Sequence, residues 1–185
     1  MLICVLGLSA SGKDFVVKQI ENKYKLNKVV QFTSRPIRDN EVEGDAYYFI
    51  EEKDFLDSIN NNEFLTYRKF NATAGEWYYG IKKSSVKLNE AMIMCIDIEG
   101  LTNLRDEYGE DKIISIFIDS NYKTRIERAK KRPNFNEEEF ERRNNDDLGK
   151  IEKIKEICNY IIENNENNNE YIGEISKIIE EEVFR

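Results

Sequence analysis

The sequence predicts an α/β fold, a parallel sheet flanked by helices. Three observations predict it. Short apolar runs alternate with longer segments of helical spacing along most of the chain. The first run, residues 2–6, is apolar at every position, as a strand buried on both faces must be. That run ends on a glycine loop that opens directly into a helical segment.

In order, residues 2–6 read as the first strand. Residues 14–24 carry Phe15, Val16, Val17 and Ile20 and read as a helix. Residues 29–32 form a second short strand. A polar, aromatic-rich stretch, 33–80, holds one helical piece at about 52–60 and several short strand-like pieces. Alternation then resumes with a strand over 91–98, a helix over 101–108 and a strand over 112–118. A helix over 122–131 is stopped by Pro133. Residues 136–156 read as one long charged helix, with Asn136 as N-cap and Glu139 three positions on. A last strand over 158–162, an Asn-rich turn over 164–169 and a helix over 171–184 complete the chain. No internal repeat is present, and 185 residues suit one domain with a full core.

Composition removes several function classes. The net charge is −8, from 36 acidic and 28 basic residues, which argues against a general nucleic-acid binder. No apolar run approaches the ~20 residues that span a bilayer. Residues 1–6 are too short for a signal peptide and lack a basic leader, so a cytoplasmic protein with no membrane partner is expected. Cys4, Cys95 and Cys158 are scattered among apolar runs and suit reduced, buried thiols. There is no histidine, which excludes every His-dependent triad, metal site or general base.

The segment Gly7-Leu8-Ser9-Ala10-Ser11-Gly12-Lys13-Asp14 has P-loop spacing: strand, Gly, four residues, Gly-Lys, helix. Glycines let several backbone N–H groups turn toward one phosphate, and the helix N-terminus adds positive potential. Gly7, Ser9, Ala10, Ser11, Gly12, Lys13 and Asp14 are therefore the candidate ATP-binding residues, with Lys13 reaching the β- and γ-phosphates. The expected fold is thus a P-loop NTPase fold. Asp14 departs from the pattern, which has Ser or Thr there to bind magnesium. Its carboxylate is a hard oxygen ligand for Mg2+, direct or through water. Equally, it would favour the first helical turn through the helix dipole.

A second cluster follows: Thr33-Ser34-Arg35-Pro36-Ile37-Arg38, Glu41, Gly44 and Tyr47-Tyr48-Phe49. Arginines three apart beside a tyrosine make an anion site, since guanidinium forks grip phosphate through two bonds. A solvated basic turn is the plainer reading of those residues alone. With a P-loop upstream, two phosphate sites imply phosphoryl transfer between them.

These residues resemble the guanylate kinase family, as do Glu63-Phe64, Phe70 and Tyr78-Tyr79-Gly80 further on. The resemblance runs from the P-loop to the final helix. It implies a kinase domain over 1–185, with a core at 1–32 and 81–185, a small mixed monophosphate-binding subdomain at 33–80 and a lid at about 128–143. It implies transfer of the ATP γ-phosphoryl to GMP or dGMP with Mg2+, by a monomer or homodimer whose partners are small nucleotides. Arg35, Arg38, Tyr47 and Tyr79 would hold the acceptor phosphate, Glu41 would orient the arginines, and Ser34 would touch the base. Arg128, Arg132 and Arg143 would be lid arginines acting with Lys13 and Arg35 on the transferring group. An ordinary basic helix face is the alternative for the lid set. Asp97 would contact base or metal-bound water, or would simply cap the following helix.

The departures from the family fall on base recognition. The glutamate that grips guanine in the family is Thr66 here, and the Ser or Thr after Tyr-Tyr-Gly is Ile81. Glu63 or Glu76 would be the replacement carboxylate. Residues 71–77 form a longer stretch that places Trp77 before the tyrosine pair, and Cys95 replaces the first aspartate of Asp-Ile-Asp. Another nucleoside monophosphate, a sugar phosphate, or a non-catalytic peptide-binding module are therefore the competing readings. A GTPase lacks its Asn-Lys-x-Asp motif here.

Overall fold

The N-terminal apolar run forms β1 (Leu2–Gly7) and lies at the centre of the larger sheet. A computed structural model describes every residue except 40, 73–74, 134, 166–168 and 185. After β1 come α1 (Lys13–Tyr24), β2 (Asn27–Lys28), β3 (Gln31–Thr33), β4 (Tyr47–Phe49), α2 (Glu52–Asn60), β5 (Phe64–Ala72) and β6 (Gly75–Lys82). Then follow β7 (Met92–Cys95), α3 (Ile98–Tyr108), β8 (Ile113–Asp119), α4 (Tyr122–Lys130), α5 (Glu137–Leu148), α6 (Ile151–Ile157), β9 (Tyr160–Glu163) and α7 (Glu170–Glu182). Part of the expected 164–169 turn and of the 71–77 stretch lies outside the described residues.

Strand alternation decides the layers. The larger sheet is parallel throughout, in the order β2-β7-β1-β8-β9. Ile3 and Val5 pack with Val16, Val17 and Ile20 of α1 and Ile175, Ile178 and Ile179 of α7. Leu2, Cys4 and Leu6 point the other way, onto Leu101 and Leu104 of α3 and Ile154 of α6. Each such side chain contributes roughly 1.5–3 kcal/mol by leaving water. Among the described residues no helix is long and apolar enough to cross a membrane.

The smaller sheet is mixed, in the order β4-β3-β6-β5. In the β5–β6 hairpin Thr66 pairs with Ile81, Arg68 with Tyr79 and Phe70 with Trp77. Those six side chains therefore share one face. Phe55 of α2 covers the other side, stacked on Phe64 at 4.3 Å and on Tyr78 at 5.3 Å.

Three expected elements differ. The strand expected over 29–32 is displaced to β3, Gln31–Thr33, which joins the small sheet, while a separate β2 ends at Lys28 on the large one. Val29 is held at the break by its N–H to the Ile93 carbonyl at 2.9 Å, while Phe32 turns to the rings of Tyr48 and Phe64. The long helix expected over 136–156 breaks after Leu148, at Gly149 and Lys150. Phe140 of α5 packs with Ala10 and Ala129, whereas Ile154 of α6 packs under the sheet, so the chain turns at its weakest helix former to bury both. Helix α3 starts at Ile98, three residues early, because the Asp97 carboxylate accepts from Gly100 N–H at 2.8 Å. The thiols are free, but only Cys4 is fully buried; Cys95 and Cys158 are half-buried.

Candidate active site

The loop between β1 and α1 is curled by its own residues and held from behind by distant ones. Gly12 sits at φ 101°, where a side chain is strained, and a Cβ there would lie 2.6 Å from Asn164 Nδ2. Ala10 takes the left-handed region too, at φ 63°, without being glycine. The Ser11 carbonyl accepts from Asn164 Nδ2 at 2.8 Å, Ser120 Oγ at 3.3 Å and Arg128 Nη1 at 3.3 Å. The buried Ser11 hydroxyl lies against Gly7, where a Cβ would come within 2.3 Å of its oxygen. With the carbonyl pinned this way, the N–H groups of Gly12, Lys13 and Asp14 head α1 as an anion cradle.

Arg125 extends this support. It is 2% exposed, yet its guanidinium donates to Asn144 Oδ1 at 2.6 Å, the Ser120 carbonyl at 3.1 Å and the Ser9 carbonyl at 3.5 Å. One cation thus joins α4, α5 and the P-loop. Burial pushes its pKa down.

The second anion cluster is built on the smaller sheet. Arg35 is 6% exposed. It grips Glu41 through two bonds, Nη1 to Oε2 at 2.8 Å and Nη2 to Oε1 at 2.7 Å. Its Nε donates to the Tyr79 hydroxyl at 3.1 Å, and the rings of Tyr47 and Phe49 flank it at 5.6 and 5.3 Å. Glu41 also accepts from the Arg38 N–H at 2.9 Å, so it fixes the 38–41 turn. The hydrogen bond from Arg35 holds the Glu41 carboxyl below its ordinary value.

Asp14 of the loop accepts through Oδ1 from the Cys95 thiol at 3.4 Å, and the Cys95 carbonyl accepts from Gln31 Nε2 at 2.6 Å, on the strand that pairs with Tyr47. Burial, then the Asp14 charge, pushes the Cys95 thiol well up. Tyr47 is also pushed up, by burial first and then by Tyr79, Asp14 and Cys95. Burial raises the Asp147 carboxyl of α5, while Lys150 and Lys13 pull it back.

The remaining expected residues fall into different settings. The Ser34 hydroxyl accepts from the Tyr78 N–H at 2.9 Å, which leaves its proton to donate. The Arg38 side chain is exposed. Asp97 caps α3 and forms an ion pair with Arg68. Arg128 lies against the loop through Ser11, Ser120 and Asn164. Arg132 is exposed just beyond α4, and Arg143 is tied to Glu139 at 2.7 Å. Neither carboxylate expected to replace the missing glutamate faces Thr66. Glu63 binds Lys82 at 2.7 Å, and Glu76, on the opposite face of the hairpin, binds Lys69 at 2.6 Å. Thr66 instead accepts from Asn103 Nδ2 at 3.0 Å.

Sequence reasoning missed Arg68, Arg125, Asn144, Asn164 and Asp147. Arg68 alternates with Thr66 and Phe70 on β5, and Asp147 lies one helical turn beyond Arg143; both spacings were readable. Asn144 and Asn164 sit in polar runs that carry no spacing signal. Among the described residues no three carboxylates or thiols cluster as a resident metal site. Asp14, a hard oxygen donor beside Lys13, fits an ion brought in on nucleotide phosphates.

The chain is similar to known proteins over nearly its whole length. The family model described as guanylate kinase matches residues 1–182. A guanylate kinase of Fusobacterium nucleatum is 30% identical over 167 residues, covering 88% of each chain. One from Clostridium tetani is 34% identical over 122 residues, but the match spans only 56% of that protein and 64% of this one. Among solved structures, a guanylate kinase from Anaplasma phagocytophilum superposes with a TM-score of 0.67 at 26% identity, covering all of this chain and 87% of its own. With its P-loop, its paired anion clusters and a family match over nearly its whole length, this chain belongs to the guanylate kinase family.

Proposed function

We propose that the chain transfers the γ-phosphoryl group of ATP to GMP or dGMP, with Mg2+ accompanying the donor. The observation that carries this reading is the run of contacts from the loop to the acceptor strand: Asp14 accepts from the Cys95 thiol, the Cys95 carbonyl accepts from Gln31 Nε2 at 2.6 Å, and Gln31 pairs with Tyr47. In the reaction an acceptor phosphate oxygen attacks the γ-phosphorus, the bridging P–O bond to the β-phosphate breaks, and ADP leaves. The loop N–H groups and Lys13 hold the donor phosphates. Arg35, Arg38, Tyr47 and Tyr79 hold the acceptor phosphate, with Arg35 kept in register by Glu41. Arg132 and Arg143 supply positive charge from the lid side, and Arg128 supplies it from beside the loop, where it binds the Ser11 carbonyl. No strong base is needed, because positioning and charge neutralisation carry such transfers. Asp14 would hold the magnesium ion together with the phosphates; when bound, the ion supplies charge neutralisation between donor oxygens.

The test is a coupled ADP-release assay with ATP and Mg2+ across ribo- and deoxynucleoside monophosphates. Turnover with GMP and dGMP is expected. No turnover with any acceptor removes the enzyme reading and leaves a phosphate-binding module.

A further inference from the structure

The acceptor end of the site holds an arginine that phosphate binding does not use. Arg68 stands directly across β5–β6 from Tyr79, whose hydroxyl accepts from Arg35. It therefore lies one cross-strand step from the acceptor-phosphate cluster, on the same face of the hairpin. Its guanidinium is ion-paired with Asp97, lies 3.4 Å from Glu99 Oε2 and packs 5.2 Å over the Phe70 ring. Asp97 is fixed in turn as the cap of α3. The guanidinium is thus held in one place, while its side chain keeps 30% exposure. Next along the strand, Thr66 is buried with its hydroxyl oxygen engaged by Asn103, and Ile81 opposite it is buried and apolar. Both oxygens of Asp97 are engaged, one by Gly100 N–H and one by Arg68.

We propose that Arg68 is the base-reading residue of the acceptor site and that it reads the O6 and N7 acceptors of a 6-oxopurine. The proposal rests on the phosphotransfer reading above and names its acceptor class. An arginine fork matches O6 and N7 through two bonds, and both atoms occur in guanine and in hypoxanthine alike. What separates the two bases is the 2-amino group, a donor. It meets the neutral Thr66 and Asn103 here, and a neutral hydrogen bond discriminates by only about two- to tenfold. Adenine instead turns a 6-amino donor toward the guanidinium donors. The site therefore takes GMP and IMP as near equals and rejects AMP.

The experiment pairs calorimetric titration of the full chain by GMP, IMP and AMP with the coupled assay on the same nucleotides. Expected are GMP and IMP affinities within about tenfold of each other, with AMP at least about tenfold weaker than either. Arg68→Gln replaces the fork with an amide that pairs with N7 and the 6-amino group of adenine. It should weaken GMP and IMP together by about tenfold and narrow the gap to AMP, at an unchanged melting temperature. Arg68→Lys, which keeps the charge without the fork, serves as the second variant and should weaken both 6-oxopurines without gaining AMP. A GMP preference over IMP beyond about tenfold, or unchanged GMP and IMP binding in both variants, overturns the proposal. The expected binding pattern without turnover overturns phosphotransfer alone. GMP turnover with IMP excluded overturns the base assignment alone. Binding of no nucleotide overturns both.

Discussion

The Asp14 carboxylate at the head of α1 accepts a hydrogen bond from the Cys95 thiol at the end of β7, at 3.4 Å. In the family pattern these two positions carry a hydroxyl and an aspartate, so one contact holds the same carboxylate from the opposite side. Asp14→Ser alone removes the charge. Cys95→Asp alone sets two carboxylates against each other, and one of them resists ionisation. Each single change should weaken Mg2+-dependent ATP binding by about tenfold or more, as losses around a metal commonly do. The double change should return to within about threefold of the parent. Calorimetric titration with ATP and Mg2+ reads this directly, and strictly additive losses would refute the exchange.

Lys13 follows a loop whose Ser11 carbonyl is bound from behind by Asn164 and Arg128, so the lysine is not needed to hold the loop together. Lys13→Ala should lower kcat by at least about a hundredfold, the scale of removing one group that stabilises transition-state charge. Circular dichroism and the melting temperature should stay at parental values. Parental turnover in this variant would take the loop out of the mechanism.

Glu41 binds Arg35 by two charge-assisted bonds and also fixes the Arg38 turn. Glu41→Gln keeps the shape and removes the charge. Since such bonds contribute roughly 1.5–3 kcal/mol, the acceptor KM should rise by about tenfold or more. The ATP KM should not move, because Glu41 acts on Arg35 and the Arg38 turn of the acceptor cluster. Steady-state kinetics with each substrate varied separates the two.

The features legible in the sequence are local ones. Gly7 to Asp14 announces itself through spacing, and Arg35 and Glu41 lie six residues apart in one turn. What supports them comes from far away. Asn164 meets the Ser11 carbonyl across 153 positions and Arg125 meets Ser9 across 116, and neither separation leaves a periodic trace. The break at Gly149 was hidden for another reason. The charged pattern of 136–156 runs on smoothly, and only the two separate packing sites of Phe140 and Ile154 force the turn. Likewise Asp97 had two open roles, and the structure fills the helix cap while adding Arg68, which sequence spacing had left unnoticed.

Arg125 is charged, buried and satisfied by carbonyls and an amide. Arg125→Met keeps the volume and deletes the donors, leaving the buried Asn144 oxygen without its partner. Stranding a buried polar group costs about 1–3 kcal/mol, or a fall of roughly 2–12 °C in Tm at this chain length. Asn144→Leu in the Arg125→Met background should recover part of that loss, since an apolar pair strands nothing. Differential scanning calorimetry of the two variants checks both steps.

Helix α5 carries a pH-sensitive brace. Asn136 caps its start, and Glu139 is held at about 2 by the hydrogen bond from Arg142, with Arg143 adding to it. The folded value lies below the ordinary 4.5, so the stabilisation is fully present above about pH 5. It is lost as pH falls from 4.5 through about 2, as the carboxylate takes up its proton. Glu139→Gln should therefore be less stable than the parent at pH 7, with the gap closing between pH 4.5 and 2. Urea unfolding at a series of pH values measures the gap. The same variant frees Arg143 from its only carboxylate partner among the described residues. If Arg143 acts on the transferring phosphoryl, kcat at pH 7 should hold or rise in Glu139→Gln even as stability falls. A parallel fall in kcat would instead make the ion pair part of the working arrangement of the lid.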